Sequence, residues 1–411
     1  MLKRMTTRFF LAAAASVALA CSTKSDDGVD STAAAGPPPV PGTSDGPAMP
    51  PATANAEMQA VLDTLGGLGG KPIESLSPGE ARKQPTPTNA VMAVLKAQGK
   101  STAPDPAVGS TDRNISVDGR SLPVRIYTPK AGTGPFPVVV YYHGGGWVIG
   151  SKEVYDGGAR GIAKSANAVV VSVDYRLGPE NKFPAAHDDA YAAYQWAIKN
   201  AASIKGDPNK VAVAGESAGG NLAVATAMTA KQKGTKLPAA IIAVYPVAGG
   251  DTVSASYTEN ANAKPLNRAM VPWFVKHYFA DPSQTQDPRI NLVAADLSGL
   301  PPTTIINAQI DPLRSDGEEL AEKLRAAGVA VEQRTFAGVN HEFFGMGAVL
   351  NEAREAQTMA GNALKNAFGA VRTGAATPAS GNMGANTPGA PAGAPGRSMS
   401  PPARDSTAMK R

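Results

Sequence analysis

Along the middle of the chain, short unbroken apolar runs alternate with longer stretches whose apolar residues recur at helical spacing. The runs are Val138–Tyr142, Val169–Val173, Val211–Ala214, Ile241–Tyr245 and Thr303–Ala308, with a weaker one at Val331–Phe336. Between most of them lie Tyr155–Ala166, Pro184–Asn200, Ala218–Lys233, Gly317–Ala327 and Gly347–Phe368. A run that is apolar throughout predicts a strand covered on both faces. Strands alternating with helices then predict an α/β fold, a mainly parallel central sheet with helices on both sides. Arg113–Val117 and Leu122–Thr128 alternate apolar and polar residues around Asp118-Gly119, which predicts an antiparallel hairpin at one sheet edge. In such sheets, function collects beyond the carboxyl ends of the strands.

Composition adds mostly exclusions. The 411 residues include a single Cys, so neither an intrachain disulfide framework nor a cysteine cluster for zinc is available. The net charge of +5 suggests nucleic acid only until its location is known. The basic excess sits in Lys3, Arg4 and Arg8 and in Arg372, Arg397, Arg404, Lys410 and Arg411, so no nucleic-acid face is expected on the folded part. A positive start and the apolar Phe9–Ala20 read as a signal peptide over residues 1–20. Ala18-Leu19-Ala20 followed by the lone Cys21 resembles the lipobox of a bacterial lipoprotein, which implies a lipid anchor on Cys21 and a place in the cell envelope. Plain cleavage after Ala20 would instead release a periplasmic or secreted protein. Residues 21–55 read as a flexible tether and 371–411 as a disordered Pro/Gly/Ala-rich tail. Residues 56–110 form a separate N-terminal segment, loose between Gln84 and Thr111 except for the amphipathic Ala90–Gln98. The catalytic domain is expected over 111–370.

Gly215-Glu216-Ser217-Ala218-Gly219 is weak alone, since chance supplies G-x-S-x-G in about one chain in five of this composition. Its context is the argument: it follows an apolar strand and opens a helix, as a nucleophile elbow must. The competing reading is a glycine-rich helix start with Ser217 as its cap. His143-Gly144-Gly145-Gly146-Trp147 follows the strand Val138–Tyr142, where glycine amides can face an oxygen that becomes negative. Of four histidines, His143 belongs to that loop, while His187 and His277 fall on helix-like stretches. His341 follows the strand Val331–Phe336 in a loop and is the candidate base. Asp311, just after Thr303–Ala308, is the candidate acid; its neighbour Asp316 reads as the cap of the next helix. The order Ser217, Asp311, His341 fits an acyl-transfer triad on an α/β sheet.

Residues from about Ala56 to Ala370 resemble the bacterial hormone-sensitive-lipase family of carboxylesterases. The resemblance rests on His143–Trp147, on Asp174-Tyr-Arg-Leu-Gly-Pro-Glu, on Phe183-Pro-Ala-Ala-His-Asp-Asp, on Gly215–Asn221 and on Asp311-Pro-Leu. Glu216, Glu342 and Gly178 depart from its pattern. The resemblance implies an α/β-hydrolase fold and a serine esterase with Gly145, Gly146 and Ala218 as oxyanion donors. It implies no metal or organic cofactor, a small-molecule ester substrate, and a helical cap from Ala56–Lys100 and about 251–288. With no long apolar lid in the sequence, short-chain acyl esters are the expected substrates. An amidase or deacetylase with the same triad, and a non-enzymatic envelope lipoprotein, are the alternatives; the sequence sets no oligomeric state.

Overall fold

The computed structural model describes residues 52–249 and 252–373. The signal peptide, Cys21, nearly all of the tether and the tail beyond Thr373 lie outside the described residues. Among these, eight strands form one sheet: β1 Val108–Val117, β2 Arg120–Pro129, β3 Phe136–Tyr142, β4 Val169–Val173, β5 Gly206–Glu216, β6 Ile241–Val244, β7 Thr303–Ile310 and β8 Val331–Asn340. Their order is β1-β2-β4-β3-β5-β6-β7-β8. β1 pairs β2, and β2 pairs β4, antiparallel; every later pair is parallel. The alternating segment is thus the edge hairpin and the unbroken apolar runs are the interior.

The helices are α1 Ala56–Gly67, α2 Pro78–Ala81, α3 Pro87–Ala97, α4 Asp156–Ala166, α5 Ala185–Asn200, α6 Ala218–Gln232, α7 Ala255–Glu259, α8 Met270–Tyr278, α9 Arg314–Ala326 and α10 Asn351–Thr373. The central strands show why their runs are so largely apolar. On β3, Val138, Val140 and Tyr142 pack in one core with α5, α6 and α9. Val139 and Tyr141 point the other way, into a second core with α1, α3, α4 and α10. Successive side chains leave a strand on opposite faces, so helices on both faces favour apolar residues at most positions; Ser172 of β4 and Thr303, Thr304 and Asn307 of β7 are the buried polar exceptions among these two strands.

Three expectations are corrected. The amphipathic run expected over Ala90–Gln98 is a helix that starts earlier, at Pro87, so less of the stretch from Gln84 is loose. Thr86 and Asn89 form a capping box, Pro87 sits at the first turn, where its missing N–H costs nothing, and beyond the helix only residues 98–107 lack helix or strand. The body begins at Val108, before residue 111, and the last helix runs on to Thr373, past the 370 boundary. Asp316 is no cap. It lies inside the first turn of α9, 4% exposed, and its Oδ2 accepts from the backbone N–H of Ala248 and Gly249 at 3.0 and 2.8 Å. It ties the loop after β6 to α9.

Candidate active site

Ser217 stands between β5 and α6 with φ 57° and ψ −119°, a left-handed φ that a residue with a Cβ adopts only under constraint. Its N–H is held by the carbonyl of Val244 at 2.8 Å. The turn is tight because Gly215 and Gly219 face one another; a Cβ on Gly219 would overlap the carbonyl of Tyr142. Ser217 occupies the capping position of α6, but its side chain makes no capping hydrogen bond. The reading of Ser217 as a capping serine therefore fails, and its hydroxyl borders a cavity of about 620 Å³ that His341 also lines.

Asp311 and His341 are brought together by sheet register. Ile310 of β7 and Asn340 of β8 are paired, past an irregularity that begins after Ala308, so the next residue on each strand emerges side by side. β8 thus continues to Asn340, where a loop from Ala337 was expected. His341 Nδ1 lies 2.7 Å from Asp311 Oδ2, with the two residues 3% and 0% exposed. The other carboxylate oxygen accepts from Leu313 N–H at 2.8 Å, and Asn260 Nδ2 donates to the Asp311 carbonyl at 3.2 Å. Burial pulls the pKa of His341 down, yet the charge and hydrogen bond of Asp311, with the charges of Glu342 and Glu216, carry the net shift upward.

The other histidines go the opposite way. Burial lowers His143, whose ring stacks on Tyr175 with centroids 4.2 Å apart and whose Nδ1 lies 2.7 Å from the Gly144 carbonyl. It braces the glycine loop. Burial also takes His187 down to about 4; it packs between Tyr278 and Asn221. His277, on α8, is shifted down by desolvation and two lysines. Gly145 and Gly146 have φ of 99° and 57° and line the same cavity. Ala218 is the first residue of α6, where backbone N–H groups have no intrahelical acceptor.

The cavity's other walls come from the N-terminal segment and the stretch before β7. The apolar stripe of α1 is graded: Met58 and Val61 are fully buried in the body core, whereas Leu62 and Leu65 pack against that core only in part and also line the cavity. Phe274 of α8 packs on Gly146 so closely that any Cβ there would overlap its ring. Trp273 Nε1 donates to the Leu76 carbonyl at 2.9 Å, joining the two segments.

Glu216 stood out in the sequence as a departure from the family pattern, but its surroundings did not. The Glu216 carboxylate, 1% exposed, accepts from the hydroxyls of Tyr141 and Tyr245. Burial, aided by the charge of Glu342, pushes it up to about 8 against the pull of the two hydroxyls and His341. A charged residue inside the elbow was the available signal; the tyrosines, 75 and 29 residues away, carried none.

A mixed sheet of this order, with a serine on a sharp strand-to-helix turn and a buried Asp–His pair on the following strand ends, defines an α/β hydrolase. A family described as alpha/beta hydrolase fold matches residues 139–345, and the chain belongs to it. It is 41% identical to carboxylesterase NlhH of Mycobacterium tuberculosis over 268 residues, 64% of this chain and 84% of that protein. An ethyl acetate hydrolase of Pseudomonas putida is 33% identical over 320 residues, 76% of this chain and 98% of that protein. The esterase of Pyrobaculum calidifontis superposes with a TM-score of 0.65 at 36% identity, covering 71% of this chain and 94% of its own.

Proposed function

We propose that the protein, a carboxylic ester hydrolase, works through an acyl-enzyme on Ser217, with His341 as general base and acid and Asp311 orienting the imidazole. The observation that carries this reading is the strained, non-capping Ser217 sharing a cavity with a His341 whose far nitrogen is fixed on a buried carboxylate. Ser217 Oγ attacks the ester carbonyl as His341 Nε2 takes its proton. The same proton then goes to the departing alcohol, and water repeats the sequence to free the acid. Asp311 keeps the proton of Nδ1 in place and stabilises the imidazolium. The N–H groups of Gly145, Gly146 and Ala218 receive the oxyanion, each worth ~3 kcal/mol of barrier.

The cap reading is supported by the wall that Leu62, Leu65 and Phe274 place around the cavity. A preference for short acyl chains draws support from the Pseudomonas relative's name, ethyl acetate hydrolase. A chromogenic ester series from short to long acyl chains, run on wild type and Ser217→Ala, tests both parts. Activity that survives in Ser217→Ala overturns the mechanism, and a higher kcat/KM on long chains overturns the preference. The lipid anchor on Cys21 rests on the sequence. Mass spectrometry of the mature N-terminus from the native host tests it, and an unmodified Cys21 amine ends that reading.

A further inference from the structure

A carboxylate that the mechanism does not use stands beside its base. Glu342 Oε1 lies 4.0 Å from His341 Nε2, on the opposite side of the ring from Asp311. The side chain is fixed there, because the buried hydroxyl of Tyr155 donates to the same oxygen at 2.6 Å. Glu342 lines the cavity with 18% of its side chain exposed. Its backbone is left-handed, with φ 73° and ψ 1°, a conformation that glycine adopts freely and a residue with a Cβ only at a cost. A glutamate thus persists where glycine would relax the chain, with its carboxylate clamped next to the nitrogen that moves the proton.

We propose that Glu342 is a positioning residue that acts through His341, so that the imidazolium formed in each half-reaction is bracketed by carboxylates at both nitrogens. This rests on the reading of His341 as the base. At 4.0 Å the contact is too long for a hydrogen bond, so Glu342 acts by its charge and takes no proton. The proton still passes from Ser217 Oγ to Nε2 and on to the leaving alcohol.

The other groups facing His341 are accounted for. Asp311 comes from the end of β7, Glu216 from the end of β5, and Tyr245, its ring 4.5 Å from the imidazole, from the end of β6. Tyr155 precedes α4. Burial and the neighbouring carboxylates raise both tyrosines well above their ordinary range, so they donate hydrogen bonds and carry no charge. Burial also raises Glu342, and the net shift stays upward although His341 and the Tyr155 hydroxyl oppose it.

The test is the pH profile of kcat/KM on a soluble chromogenic ester for wild type, Glu342→Gln and Glu342→Gly. Gln keeps an acceptor for Tyr155. Gly releases the left-handed strain, so a loss in that variant cannot be assigned to a backbone that no longer fits. A charge of opposite sign at this range holds a protonated group by about one pH unit or more. Both variants are therefore expected to move the acid limb down by about one pH unit and to lower plateau kcat about tenfold, with KM little changed. An acid limb that stays in place, or moves up, in both variants overturns the proposal. His341→Ala separates the two readings: if it retains activity, the base assignment has failed. If it is inactive while the Glu342 limbs coincide with wild type, only the role of Glu342 has.

Discussion

Ser217, Asp311 and His341 follow strands β5, β7 and β8 directly, are at most 5% exposed, and are held by backbone and side-chain hydrogen bonds within the sheet layer. The segments across the cavity from them are tied differently. Trp273 reaches the Leu76 carbonyl, Asn267 reaches Glu74 at 3.3 Å, and Tyr257, Leu266 and Met270 cluster on Leu313 beside Asp311, while Trp273, Tyr278 and Phe279 enter the main core. Arg82 adds bonds to the carbonyls of Val148 and Gly178 and a fork onto the exposed Glu180. Chemistry demands atoms fixed to fractions of an ångström, which a strand end buried on both faces supplies. Recognition tolerates a wall assembled from separate segments, each rooted in the core by a few residues such as Met58, Val61 and Tyr278.

The largest effects should follow from breaking the sheet layer. Ser217→Ala, His341→Ala and Asp311→Asn should each lower kcat by roughly 10⁴-fold or more, and a double variant by little beyond the worse single one, since the groups act as a unit. Steady-state kinetics on a short chromogenic ester checks this; additive losses would show that they do not form one machine.

Where the two regions touch, Gly146→Ala should cost about 10²-fold in kcat, because the new Cβ meets the Phe274 ring and the glycine loop proposed to hold the oxyanion must shift. Phe274→Ala added to that variant should restore part of the loss. If it restores none, the left-handed φ of Gly146, not the wall above it, sets the cost.

A third prediction concerns stability within the sheet layer. Glu216 is raised from 4.5 to about 8 in the folded protein. A group raised on folding contributes fully below its unfolded pKa and loses that contribution as pH climbs toward the folded value. Wild type should therefore lose stability between about pH 4.5 and 8 relative to Glu216→Gln, on the order of a few kcal/mol. Melting curves on either side of that window should shift in the variant's favour by roughly 5 °C at the alkaline end. An unchanged difference in melting temperature would mean that Glu216 ionises as readily in the fold as out of it.

The smallest effect belongs to the wall. Trp273→Phe removes the bond to Leu76 and should cost about 1 kcal/mol of stability. It should also change KM across an acyl-chain series more than kcat on any one ester. A fall in kcat alone would draw the wall into the chemistry and weaken the contrast.

Much of the sheet layer was legible along the chain. β4 coincides with its apolar run, and β3, β5, β6 and β7 contain theirs to within one residue, because strands buried on both faces are mostly apolar, with Ser172 of β4 and Thr303, Thr304 and Asn307 of β7 as buried polar exceptions. Gly215–Gly219 was legible because a turn this tight excludes Cβ atoms at fixed positions. The wall was less so. Met58, Val61, Leu62 and Leu65 form one amphipathic stripe in the sequence, yet the first two are wholly within the core, while the last two pack on its edge and also border the cavity. Periodicity reports that a face is covered, not by what.

By itself, then, the sequence determined the α/β alternation, the edge hairpin, the elbow and the order of the three candidate residues, all of which follow from local sterics and from burial at each position. Tertiary structure decided the rest. The irregular pairing after Ala308 sets Asp311 beside His341, a matter of register between strands whose hydrogen bonds are blind to side-chain type. The fold also decided that Asp316 would brace a loop, that Tyr141 and Tyr245 would hold Glu216, and that Tyr155, 187 residues from Glu342, would clamp its carboxylate beside His341. Such contacts join residues far apart in the chain, and their partners are chosen only when the sheet closes around them.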